Sequence, residues 1–178
     1  MSASPGRSVA LLVEDWFEDL EFWYPYYRLQ EAGYQTVVVG PEVRSYRGKH
    51  GLAAKATLAA DRTSAASFAG LFIPGGYAPD RMRRSPALVA LVREVHALNR
   101  PIAAICHGGW MLISAGLVRG RRLTSFFSIR VDLENAGARW VDEPVVVDGN
   151  LVTAQKPDDL PQLCPMFIEL LNRENDRS

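Results

Sequence analysis

The sequence predicts a three-layer α/β sandwich on a mostly parallel sheet, and three observations carry that expectation. Short continuous apolar runs recur at 9–13, 36–40, 70–73 and 102–105. Runs of this length and continuity read as strands covered on both faces. Helix-like stretches at 20–32 and 86–98 separate them, so strand and helix alternate and the strands are joined by crossovers. The features that bear chemistry fall just after the strands, where open α/β sheets bind ligands.

Taken in order, strand 9–13 runs into an acidic loop at 14–19. Helix 20–32 follows and stops at Gly33. Pro25 inside it suits only a helix start or a kink. Strand 36–40 completes a βαβ unit. Gly48 and Gly51 mark an excursion at 47–51, read as a small β-ribbon. Strand 70–73 leads to Gly75-Gly76. Helix 86–98 has Ser85 as N-cap and Pro86 at its first position. Strand 102–105 turns into helix 110–115, capped by Gly116. A further strand is expected at 122–125 and a helix at 129–136. Strands 144–147 and 151–154 flank Asp148-Gly149-Asn150, a hairpin signal. Helix 160–172 closes one domain spanning 8–172, with flexible tails at 1–7 and 173–178.

The 178 residues suffice for one full core. Twenty basic and twenty acidic residues balance, which argues against a nucleic-acid partner or an acidic membrane surface. Two cysteines, Cys106 and Cys164, form no disulfide framework, so a reducing, cytoplasmic setting is expected. Residues 1–7 lack the apolar core of a signal peptide. All apolar runs are too short to span a membrane.

The chemistry centres on Cys106. It sits where strand 102–105 turns into a helix, in the order Ala104, Cys106, Gly108, with small residues on either side. That is the layout of a nucleophile elbow with cysteine in place of serine. Backbone N–H groups at a helix start favour an anion, lower a thiol's pKa and hold a developing oxyanion. An inert buried cysteine is the simpler alternative; the glycines and adjacent His107 weigh against it. His107 reads as a general base or as a cap. Glu18 reads as a carboxyl whose pKa rises beside a thiol, with Glu14, Asp15, Asp19 and Glu21 as competitors. Gly76 and His107 supply candidate oxyanion N–H groups. His50 reads as surface, and His96 and Cys164 as packing. Three scattered histidines make no metal site.

Together, Phe17-Glu18-Asp19-Leu20-Glu21, Gly48-Lys49-His50-Gly51, Ile73-Pro74-Gly75-Gly76 with Ala78-Pro79-Asp80, and Ala104-Ile105-Cys106-His107-Gly108 resemble the PfpI branch of the ThiJ/PfpI superfamily. That superfamily includes the parkinsonism-associated protein deglycase and is related to class I glutamine amidotransferase domains. The resemblance covers about 9–171. It implies a flavodoxin-like fold, a homodimer or larger ring, and no cofactor. It also implies Cys106 as nucleophile, Glu18 as its protonated partner, and an oxyanion hole from Gly76 and His107. In this branch a carboxylate of the neighbouring subunit orients the histidine. The matching position is Asp80, where the family more often has glutamate. Gly109 stands where proline is frequent, and Phe126 where some members have tyrosine. The activity implied is that of a cysteine-dependent stress enzyme acting on reactive carbonyls or glycated adducts. An oxidation sensor or chaperone with an oxidisable Cys106 is the alternative, and an intracellular peptidase ranks third.

Overall fold

The computed structural model describes the backbone of residues 7–175. In chain order it contains β1 (Ser8–Leu12), α1 (Asp19–Glu31), β2 (Gln35–Gly40), β3 (Ser45–Arg47), β4 (Ala53–Lys55), β5 (Leu58–Ala59) and β6 (Gly70–Ile73). There follow α2 (Ala78–Met82), α3 (Pro86–Ala97), β7 (Ile102–Ile105), α4 (Gly109–Ser114), β8 (Arg122–Leu123), α5 (Arg130–Asn135), β9 (Arg139–Trp140), β10 (Val145–Asp148), β11 (Leu151–Ala154) and α6 (Leu160–Asn175).

Seven strands form the central sheet in the order β10-β11-β7-β6-β1-β2-β5. All neighbours are parallel except the β10–β11 hairpin. Helices α1 and α6 lie together on one face, and α3 and α4 on the other, against β6 and β7. The expected three-layer, flavodoxin-like sandwich is therefore the observed one. Its central strands are wholly buried: every residue of β6 and β7 is inside. This is why they read as unbroken apolar runs rather than alternating ones.

The order places β1 beside β6, and β6 beside β7. The chain leaves β1 toward β2 on one side and returns to β6 on the other. That reversal opens a crevice at the carboxyl ends of these strands. The expected ribbon is present as antiparallel β3 and β4.

Several expectations are corrected. Helix α1 runs without a break through Pro25, whose ring is buried. Burial of the surrounding face holds the helix although proline donates no N–H there. Strand β8 pairs with β9 in a separate two-stranded sheet. Short elements β5 and α2 carried no apolar periodicity to reveal them. Helix α6 continues to Asn175, past the expected end, and the Arg7 carbonyl accepts from Gln35 N–H at 2.9 Å. Of the expected tails, 1–6 and 176–178 lie outside the described residues.

Candidate active site

Three loops converge at the crevice, joined by backbone hydrogen bonds. Phe17 and Gly76 form an antiparallel bridge. Glu18 N–H donates to the Gly75 carbonyl at 3.2 Å, and Tyr77 N–H to that of Trp16 at 2.9 Å. The turn between β3 and β4 is tied in as well. Trp16 N–H donates to the Arg47 carbonyl at 2.7 Å and Lys49 N–H to that of Phe17 at 2.9 Å. Asp19 accepts from His50 N–H and Leu52 N–H, each at 2.9 Å, which fixes the turn from below.

Cys106 has φ +58, the strained left-handed geometry expected of a nucleophile elbow. The backbone N–H groups of Gly76 and His107 favour the anionic form of its sulfur. His107 Nδ1 lies 3.2 Å from Sγ, so the adjacent ring does reach the thiol. The ring stacks on Phe126 at 5.3 Å and meets Trp110 edge-on at 5.1 Å. Its Nε2 lies 3.2 Å from Ser128 Oγ. Burial, with Lys49 nearby, pulls His107 below its ordinary value of 6.5.

The carboxyl at the sulfur is Glu21, and the assignment of that place to Glu18 is corrected. Glu21 is 0% exposed. Its Oε2 accepts from Gly75 N–H at 2.8 Å, and the carboxyl interacts with the Cys106 side chain. Oε1 has no conventional partner among the described residues. Burial above all, and the neighbouring Glu18 charge, push Glu21 up to about 8. At neutral pH it is therefore mostly protonated, with a proton to offer the sulfur. Gly75 makes room for this contact: a Cβ there would stand 2.5 Å from Glu21 Oε2 and 2.7 Å from Cys106 Cβ.

Glu18 has another task. It is the residue before α1, in extended conformation, and its side chain turns toward the ribbon. Lys49 Nζ donates to Glu18 Oε2 at 2.9 Å, and His50 Nε2 lies 3.4 Å from Oε1. Lys49 is thereby held where its charge acts on Cys106, Glu21 and His107. It is a site residue that the sequence reading quoted within a motif and gave no role.

The expected low-pKa thiol is also corrected. Burial and the Glu21 charge push Cys106 up to about 12, outweighing the two N–H donors. Helix α4 is only six residues long and does little to offset this. The carboxylate's contribution to that rise vanishes when Glu21 is protonated. Burial thus favours the neutral form of the thiol, of the acid and of the imidazole alike. Cys164 is buried in α6, as expected.

Asp80 lies on α2 with half its side chain exposed, 2.5 Å from Arg84 Nη2. Within one chain Ser128, not Asp80, faces the outer nitrogen of His107. Phe126 carries no hydroxyl and serves as the stacking face. Among the described residues no group of three or more His, Cys, Asp or Glu could hold a metal ion, and no helix is long and apolar enough to cross a membrane.

A parallel sheet with a strained cysteine at its switch point defines a class of α/β proteins with a cysteine elbow. Within that class the chain belongs to the DJ-1/PfpI family, whose model matches residues 7–170. It is similar to a deglycase of Pyrococcus horikoshii, 42% identical over 163 residues, spanning 92% of this chain and 98% of the relative. It is also similar to protein/nucleic acid deglycase 2 of Escherichia coli, 39% identical over 170 residues, spanning 93% and 98%. Among solved structures it resembles a two-domain protein with DJ-1/ThiJ/PfpI-like and ferritin-like domains from Anabaena variabilis. The TM-score is 0.92 at 40% identity, covering 93% of this chain and 48% of that one. Family and names together support a deglycase-type function.

Proposed function

We propose that this protein is a cysteine-dependent enzyme acting on small reactive carbonyls or on the adducts they form. The observation that carries the reading is the surround of Cys106 Sγ: two backbone N–H donors, an imidazole nitrogen and a protonatable carboxyl. With a 2-oxoaldehyde, Sγ bonds to the aldehyde carbon and the carbonyl electrons move to oxygen. The thiol proton passes to His107 Nδ1 and then to that oxygen, giving a hemithioacetal. The N–H groups of Gly76 and His107 hold the negative charge meanwhile. A base at the site, His107 or ionised Glu21, removes the carbon-bound hydrogen as a proton. Reprotonation at the neighbouring carbon gives a thioester, and water cleaves it to a hydroxy acid and the free thiol. No oxidant or cofactor enters the balance.

Lys49 supports each anionic stage by its charge. A buried neutral thiol suits this scheme, because the sulfur is deprotonated only as the carbonyl accepts its electrons. Exposed aromatic residues near the crevice, Trp16, Tyr77 and Phe127, support assembly as a homodimer or larger ring. The same N–H donors that favour an oxyanion also suit the oxygens of a Cys106 sulfinate, and this favours an oxidation sensor as the second reading.

The test is purified protein with methylglyoxal, following hydroxy-acid release in wild type and Cys106→Ala. Turnover in wild type and none in the variant is expected. No turnover by wild type, or equal turnover by both, overturns the proposal.

A further inference from the structure

We infer that Ser128 is the positioning residue of His107: its hydroxyl accepts the Nε2–H and so leaves the Nδ1 lone pair facing Cys106 Sγ. Both contacts are 3.2 Å, one at each ring nitrogen. The inference rests on the cysteine chemistry proposed above.

A neutral imidazole carries one proton, and which nitrogen holds it is set by the partner of the other. For the thiol proton to reach Nδ1, the ring proton must sit on Nε2, and a group there must accept it. Ser128 is that group. When the imidazolium forms, Nε2–H keeps its partner while Nδ1–H faces the new anion. A carboxylate at the same place would act alike, but its charge would strengthen the base. A hydroxyl is neutral, so the ring takes the proton and gives it up readily.

The position of Ser128 is referenced to the nucleophile itself. It lies in the single turn Phe127–Ile129. Phe126 N–H donates to the Cys106 carbonyl at 3.2 Å, and Ile129 N–H to the Phe126 carbonyl at 3.2 Å. Phe126 and Trp110 fix the plane of the ring, and Trp110 is in turn held by Asp132 at 2.8 Å. The ring therefore has a defined tilt, and Ser128 supplies the remaining choice of tautomer.

The charged groups around the ring come from other elements. Lys49 from the ribbon turn and Asp132 from α5 act on it through charge. Glu21 from α1 meets the sulfur instead. Asp80 pairs with Arg84 on its own stretch of chain.

The test uses the full-length chain, ¹⁵N-labelled, in four forms: wild type, Ser128→Ala, Ser128→Thr and Asp61→Asn. Ring-nitrogen NMR shifts of His107 and the rate of iodoacetamide alkylation at Cys106 are followed against pH. Wild type should hold the Nε2–H tautomer. Ser128→Ala should mix the tautomers and slow alkylation at neutral pH about three- to tenfold, the value of one hydrogen bond. Ser128→Thr should restore both readouts, and the exposed Asp61→Asn should leave both unchanged. Wild-type signals and rate in Ser128→Ala overturn the inference. Failure of the threonine to restore the tautomer also overturns it. Neither readout uses a carbonyl substrate. A protein inactive on methylglyoxal yet showing these signatures would overturn the carbonyl reading and leave the role of Ser128 standing.

Discussion

Replacing Glu21 by glutamine should change how stability depends on pH. Glu21 is raised from an ordinary 4.5 to about 8, chiefly by burial. Between those values the folded chain holds a proton that the unfolded chain has released. Stability from this group is therefore complete below about pH 4.5 and is lost as pH rises toward 8. At about 1.4 kcal/mol for each pH unit, the full loss is on the order of 5 kcal/mol. Glutamine keeps an acceptor for Gly75 N–H and cannot ionise. The two proteins should therefore be of similar stability near pH 4.5. The variant should gain on wild type steadily up to about pH 8 and run parallel to it above. Urea unfolding followed at half-unit steps from pH 4.5 to 9 measures this directly. The difference between the curves isolates Glu21 from every other titrating group. Curves that stay parallel throughout would refute the assignment of a buried, protonated carboxyl at this position.

Two further perturbations follow from the same geometry. Lys49→Met removes a cation that lowers His107 and acts on Cys106, so the His107 titration seen by NMR should move up in pH and Cys106 alkylation at neutral pH should slow several-fold; an unmoved titration would show that Lys49 exerts no field at the site. His96 is lowered from 6.5 by burial and by Arg121, so the folded chain binds its proton more weakly than the unfolded chain. Stability tied to His96 is present above about pH 6.5 and is lost as pH falls below it, and thermal melts at pH 7.5 and 5 should show a smaller drop in His96→Gln than in wild type.

Most of the fold was legible because burial on both faces leaves a plain signal. Runs such as 102–105 carry no polar residue, and only a covered central strand tolerates that without alternation. Ser85 could be named as a cap because its geometry is local, and its Oγ does accept from Leu88 N–H at 3.4 Å. Elements that depend on distant partners were not legible. Strand β5 is two residues long and exists only because β2 offers an edge. Strand β8 reads like a sheet strand, yet its partner is β9. Pro25 argued by local rules for a helix start or a kink, and α1 extends six residues on either side of it.

The acid at the nucleophile shows where such reading can be sharpened. The residues alone leave Glu18 as one of five acidic candidates, and the family resemblance is what points to it. The buried residues of α1 are Asp19, Glu21, Phe22, Pro25 and Leu29. Phe22, Pro25 and Leu29 alone trace a helical stripe, and Glu21 falls on the same face at helical spacing from Pro25. A glutamate on an apolar stripe costs free energy unless it is neutral or paired. Asp19 and Glu18, three and four residues before Phe22, share that spacing and are buried as well, so periodicity narrows the choice without singling out Glu21. Glu18 precedes the first helical residue in extended conformation, and its side chain meets the ribbon instead. Ser128 carried no such signal, because an exposed serine in a loop is unremarkable until the ring beside it is placed. The acid at the sulfur and the hydroxyl at the histidine are thus both fixed by tertiary contact, the first with Gly75 and Cys106 and the second with the imidazole.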